Sequence, residues 1–403
     1  MLCSHSRMFS ERTNWKTSTN KYTQALETVR RSGEPLIDLT VSNPTECGLA
    51  YDSATILRAF QDASALRYEP DAKGLVMARE EVARYYREDH GEEVDVESLI
   101  LTSSTSEAYS HIFRLLCNAQ DEILVPKPSY PLFDFLADLQ DVRLVPYELQ
   151  YAHGWFVDFA SVMRAVTPRT RAILLVHPNN PTGSYVKEEE LSRLNELCQE
   201  HELALIVDEV FLDYTLDGAK RKSFVANGDA LTFTLSGLSK IAALPQMKVA
   251  WLATTGPESL VKEALARLEI IADTYLSLSS PTQWAFAELL EQRRSLQPQL
   301  MKRIRENWAA LRKMAGDSSY CRLLETEGGW YAVLQVRAAE NDEGLAIELM
   351  REAHVLVHPG HFYDFSGDGY LVLSLITEGE QFRKGTAKLL GQIEQRRVKG
   401  LQL

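Results

Sequence analysis

The sequence predicts an α/β protein: a three-layer α/β/α large domain built on a mainly parallel sheet, with a smaller α+β domain beside it. Two observations predict this. From about residue 121 to 254 the chain repeats one rhythm, a short apolar run, a turn and an amphipathic stretch; beyond Gly328 the rhythm gives way to strand-like and helical segments of another kind. The apolar runs are residues 123–125, 142–145, 172–176, 203–207, 231–235 and 249–253. Continuous apolar runs this short suit strands covered on both faces, with helices as the crossovers. Ahead of that block, residues 75–86 have helical spacing, and the apolar residues 99–101 lead into a helix over 107–116. After it, residues 280–314 read as one long helix, followed by strand-like 330–336, a helix over 343–353, strand-like 370–376 and a final helix. The expected division is an N-terminal arm with part of the small domain over 1–48, the large domain over 49–290 and the small domain over 291–403.

Composition narrows the function. A chain of 403 residues with 45% hydrophobic and 25% charged content is ordinary for a globular enzyme. Its net charge of -13 argues against nucleic acid or an anionic membrane as the main partner. No apolar stretch approaches the ~20 residues of a membrane span, and the first residues lack the apolar segment of a secretory leader. The cysteines, Cys3, Cys47, Cys117, Cys198 and Cys321, are odd in number and widely spread, so a reducing cytoplasm is expected.

In open parallel sheets ligands lie at the carboxyl ends of strands, so the residues following each run are the ones that carry chemistry. Ser236-Gly237-Leu238-Ser239-Lys240 follows the run at 231–235. A lysine just past a buried strand loses solvation, which favours the neutral amine that attacks carbonyls. Asp208 ends the run at 203–207, where a carboxylate can hold a proton on a ring nitrogen. Asn180-Pro181-Thr182-Gly183 follows the run at 172–176. Ser104, Thr105 and Ser106 open the helix after 99–101, and amides at a helix N-terminus suit a phosphate. Each also has a plainer meaning: a solvated lysine, a capping carboxylate, a turn, a Ser/Thr cap. The combination is what restricts the reading.

These motifs, in this order, resemble class I/II aminotransferases dependent on pyridoxal phosphate (PLP), the aspartate-aminotransferase superfamily. Further segments share the likeness: Tyr68-Glu69-Pro70 with Gly74, Pro128-Ser129-Tyr130-Pro131, Gly328-Gly329-Trp330-Tyr331 and His358-Pro359-Gly360. It spans about residues 39–390. The resemblance implies a fold-type-I homodimer with its active site at the subunit interface. It implies that Lys240 carries PLP and then moves the substrate's α-proton, that Asp208 pairs with the pyridinium nitrogen, that Asn180 donates to the phenolic oxygen and that Tyr130 stacks on the ring. Ser104, Thr105, Ser106, Ser236, Ser239 and Lys248 would hold the phosphate, and Tyr68 would reach the phosphate of the neighbouring subunit. Ser42, Asn43 and Val372 would stand on the substrate side. The implied reaction moves an amino group from an amino acid donor to a 2-oxo acid by ping-pong half-reactions.

Three positions depart from the family. Phe211 stands where a tyrosine usually donates to the phenolate. Lys248 replaces the phosphate-binding arginine, exchanging a bidentate fork for a point charge. Val372 occupies the place of the arginine that grips the substrate's α-carboxylate, and an isopropyl group cannot do so. Lys248 or Arg383 could substitute by character. The missing arginine keeps a second reading in view, a PLP-dependent lyase (carbon–sulfur β-elimination) or a decarboxylase, and a third is a non-catalytic sensor. The histidines His354, His358 and His361 share no helix face that would suit a metal.

Overall fold

The computed structural model describes residues 8–337 and 341–400; Cys3 and the first seven residues of the expected arm lie outside them. Its central feature is an eight-stranded sheet in the order Leu99–Thr102, Ala250–Thr255, Thr232–Gly237, Ala204–Asp208, Thr170–Val176, Glu122–Lys127, Arg143–Tyr151 and Trp155–Val157. The five strands from Thr232–Gly237 to Arg143–Tyr151 run parallel. Ala250–Thr255 runs antiparallel to both its neighbours, and the edge strand Trp155–Val157 antiparallel to Arg143–Tyr151.

Alternation along the strands sorts side chains onto two faces. Ala172, Leu174 and Val176 join a core with Ile112, Phe113 and Leu268 from the helices Thr105–Leu116 and Glu258–Tyr275. Ile173 and Leu175 join the opposite core, with Val162, Leu194 and Leu197 from Phe159–Ala165 and Glu188–His201. A period of two on strands covered on both faces therefore produces the three layers. Truncating one of these fully buried leucines to alanine costs about 2–5 kcal/mol.

A further core belongs to a four-stranded antiparallel sheet in the order Cys321–Leu323, Tyr331–Val336, Tyr370–Ser374 and His358–Pro359. Helices Lys21–Ser32, Arg293–Gly316 and Gly379–Gly400 cover it through Val29, Ile304 and Phe382. Ile37–Asp38 pairs in parallel with Val355–Leu356, tying the N-terminal segment to this region.

The single helix expected over 280–314 is three pieces, Ser280–Trp284, Phe286–Glu291 and Arg293–Gly316. The last joint is fixed by charge. Arg293 is 2% exposed, and its guanidinium is held by Asp89, Glu88 and Glu291. A buried guanidinium needs such partners.

Candidate functional site

The parallel register brings the chemistry together. Val176 lies opposite Asp208, and Asp208 opposite Leu235. The residues that follow these strand ends, Asn180, Asp208 and Lys240, therefore share one edge of the sheet, with Tyr130 following the next strand along.

Lys240 lies in the short helix Leu238–Ile241. Its Nζ stands 4.7 Å from the centre of the Trp330 ring and 5.6 Å from that of Phe211. Its carbonyl accepts a hydrogen bond of 2.6 Å from Tyr214 Oη. Burial lowers the amine's pKa to about 8, against the opposing charges of Asp208 and Cys47. Near neutrality an appreciable share of this lysine is unprotonated and nucleophilic.

Asp208 is held at both oxygens. Oδ1 accepts from the Val210 amide at 3.1 Å and Oδ2 from Tyr109 Oη at 3.0 Å. Burial raises its pKa above the usual carboxylate range, while these two donors and Lys240 act to lower it. Phe211 is buried and edge-on to Trp330, with ring centres 5.2 Å apart, so an apolar wall stands beside the amine.

Asn180 is buried, and its Oδ1 has no hydrogen-bond partner among the described residues. Its neighbour Asn179 donates to the Pro128 carbonyl at 3.1 Å and to Thr182 Oγ1 at 2.9 Å, fastening the turn to the loop that carries Tyr130. Tyr130 is 40% exposed, so part of its ring is open to a ligand. Ser236 is buried with an equally unpartnered hydroxyl. Ser104 caps the helix Thr105–Leu116, its Oγ accepting from the Glu107 amide at 3.2 Å. Thr105 and Ser106 occupy the half-exposed first turn, where amides lack intrahelical acceptors.

Other expected residues stand as follows. Ser239 is half-buried beside Lys240. Lys248 is exposed, has φ +55° and pairs with no carboxylate among the described residues. Tyr68 is 73% exposed and lines a surface cleft with Leu276. Ser42 is exposed, and Asn43 spends its side chain locally, accepting from Thr45 and donating to Glu46. Val372 is 1% exposed, with Val333 and His358 as its cross-strand partners. His358 Nδ1 is 3.0 Å from Tyr363 Oη, and Arg383 lies over Gly379 beside Glu378. Among the described residues no group of three His, Cys, Asp or Glu side chains could hold a metal.

Sequence reasoning missed Tyr109 and Cys47. Tyr109 sits on the apolar stripe of its helix with Ile112 and Phe113, a pattern that reads simply as core. Cys47 carried no motif; burial pushes its thiol up to about 11.

The family described as aminotransferase class I and II matches residues 34–380. The chain belongs to that family. Among similar proteins, the glutamate-pyruvate aminotransferase AlaA of Escherichia coli K12 is 29% identical over 263 residues, a match that covers 65% of each chain. The aspartate/prephenate aminotransferase of Thermus thermophilus is 27% identical over 375 residues, covering 92% of this chain and 94% of that one. The fold is similar to that of alanine aminotransferase from Pyrococcus furiosus, with a TM-score of 0.86 at 21% identity over 96% of this chain and all of the other. It is also similar to a Thermus thermophilus aspartate aminotransferase, at 0.81 and 25% over the same shares. The residues of this class I/II family member fit the family's cofactor, PLP. A buried hydroxyl lacks a partner, an open helix terminus is available to an anion, and a partly neutral lysine stands near a carboxylate.

Proposed function

We propose that this chain is a PLP-dependent aminotransferase that exchanges an amino group between an amino acid and a 2-oxo acid by a ping-pong mechanism. The observation that carries the proposal is Lys240, desolvated and within the field of Asp208 at the end of the neighbouring strand. When bound, PLP supplies an electron sink for the pair left on the substrate's α-carbon. The chain's own residues do the rest. Lys240 holds the cofactor and moves the α-proton at Nζ. Asp208 would keep a proton on the ring nitrogen, Asn180 would donate to the phenolic oxygen and Tyr130 would stack on the ring. Ser104, Thr105, Ser106, Ser236 and Ser239 receive the phosphate, with Lys248 as its cation.

The donor reading follows from Val372. With no guanidinium there, and with Tyr331, Tyr363, Phe211 and Trp330 buried nearby in one core, binding energy has to come from the substrate's distal part. We infer a donor whose distal group is apolar or aromatic. The exposed apolar residues Leu57, Leu66, Tyr68, Ile270 and Tyr275 support a homodimer. The four unpaired cysteines among the described residues support a reducing, cytoplasmic compartment.

A donor panel tests the activity. A donor added alone should abolish the visible band of the PLP-loaded protein, a 2-oxo acid should restore it, and no ammonia should appear. Alanine and aspartate should react at least about tenfold less efficiently than donors with an apolar distal group, the scale set by one lost charge-assisted contact. Release of keto acid and ammonia with the band intact would assign a lyase instead.

A further inference from the structure

We propose that Tyr109 is a positioning residue that keeps Asp208 ionised, and so keeps the proton on the ring nitrogen of the bound cofactor; this rests on the reading that PLP occupies the site. The geometry is specific. Tyr109 Oη donates to Asp208 Oδ2 at 3.0 Å across a separation of 99 residues in the chain. Tyr109 is 2% exposed, and its ring is clamped edge-on by Phe133 at 5.3 Å and tilted against Phe113 at 6.1 Å. The hydroxyl therefore has little freedom to turn elsewhere.

An ionised carboxylate offers about four acceptor sites, so the amide on Oδ1 and the phenol on Oδ2 leave room for a third donor. Their effect is on basicity. In a dry pocket the neutral carboxylic acid is favoured, and such an acid cannot keep a neighbouring nitrogen protonated. Each donated hydrogen bond stabilises the charged form and moves the balance back. Lys240 also contributes an opposing charge, yet that contribution changes once its amine is engaged with the cofactor. The Tyr109 bond is made by a group that takes no part in such chemistry, so its contribution persists. The helix Thr105–Leu116 would then do two tasks, offering its first turn to an anion and its second to Asp208.

The test uses PLP labelled with nitrogen-15 in the ring. Absorbance on adding PLP, with borohydride fixation to Lys240, comes first: absence of binding would refute the cofactor reading itself and leave this proposal without a site. If PLP binds, the native protein should show a ring nitrogen resonance in the protonated range. Tyr109→Phe, which keeps the ring packing, should move it toward neutral pyridine by about tenfold in the protonation equilibrium, the scale of one hydrogen bond to a charged group. Site-specific 3,5-difluorotyrosine at position 109, a stronger donor of nearly the same shape, should move it the other way and covers the case in which the phenylalanine variant fails to fold. A resonance unchanged in either folded variant would overturn the proposal and leave Tyr109 a packing residue.

Discussion

Lys240 shows how one side chain's surroundings fix its chemistry. Only the neutral amine captures an aldehyde, and burial brings its pKa to about 8. The rate at which cofactor-free protein captures PLP should therefore rise about tenfold per pH unit below 8 and level off above it; an ordinary solvated lysine would keep rising past pH 10 and be about two orders of magnitude slower at pH 8. Stopped-flow absorbance over pH 6–10 checks this, and a rate still climbing at pH 10 would show that Lys240 is not desolvated. At this scale the sequence was informative wherever a residue follows a buried strand, because strand ends converge on ligands. That Lys240, Asp208 and Asn180 lie together at the ends of neighbouring strands was legible for that reason. Tyr109 was not, since its partner comes from a strand 99 residues on and its helical spacing marks it only as core.

Among the elements, the turn at Asn180–Gly183 is tightly constrained. Gly183 has φ +70°, and a Cβ placed on it would stand 2.4 Å from the Gly328 carbonyl oxygen and 2.8 Å from Thr326 Oγ1. The close approach has a purpose: the Gly183 carbonyl accepts from the amides of Glu327 and Gly328, and Thr326 Oγ1 donates to the Thr182 carbonyl at 2.8 Å. Gly183→Ala should destabilise the protein by about 1–3 kcal/mol through the left-handed backbone alone, with the clash added, and should weaken PLP binding by displacing Asn180. Urea unfolding and a PLP titration measure both; an alanine variant of native stability would show that the segment at 326–328 moves aside freely. The parallel strands were readable from their apolar runs because both faces are covered. The direction of Ala250–Thr255 was not, since burial pattern is indifferent to direction, and the three-residue edge strand Trp155–Val157 is too short to carry a period. The last break in the expected helix over 280–314 falls where Arg293 meets Asp89, a contact no local pattern contains.

For the molecule as a whole, the unexplained surface is apolar. Leu66 is 91% exposed, Tyr68 73%, Ile270 70% and Leu57 66%, and Tyr68 shares a cleft with Leu276 at the end of the helix Glu258–Tyr275. Single exposed apolar side chains are common, but several on segments that meet mark a surface made to be covered. The 3-10 turn Ala63–Leu66 ends two residues before Tyr68, so a second copy covering Leu66 would carry Tyr68 with it toward the other subunit. In its own chain Tyr68 lines a cleft with Glu69, Pro70, Gly74 and Leu276. Two consequences should therefore appear together. Leu66→Glu combined with Ile270→Glu places charges on both segments, and sedimentation should show a dimer for the native chain and a monomer for the variant. The monomer should fold, because neither side chain belongs to a core, but it should bind PLP at least tenfold more weakly through loss of the partner's phenol, the scale of one hydrogen bond to a charged phosphate. Tyr68→Phe separates the two effects: it should remain dimeric and still lose the same affinity. A native monomer with full activity would mean that this surface serves another partner and that one chain completes the site alone.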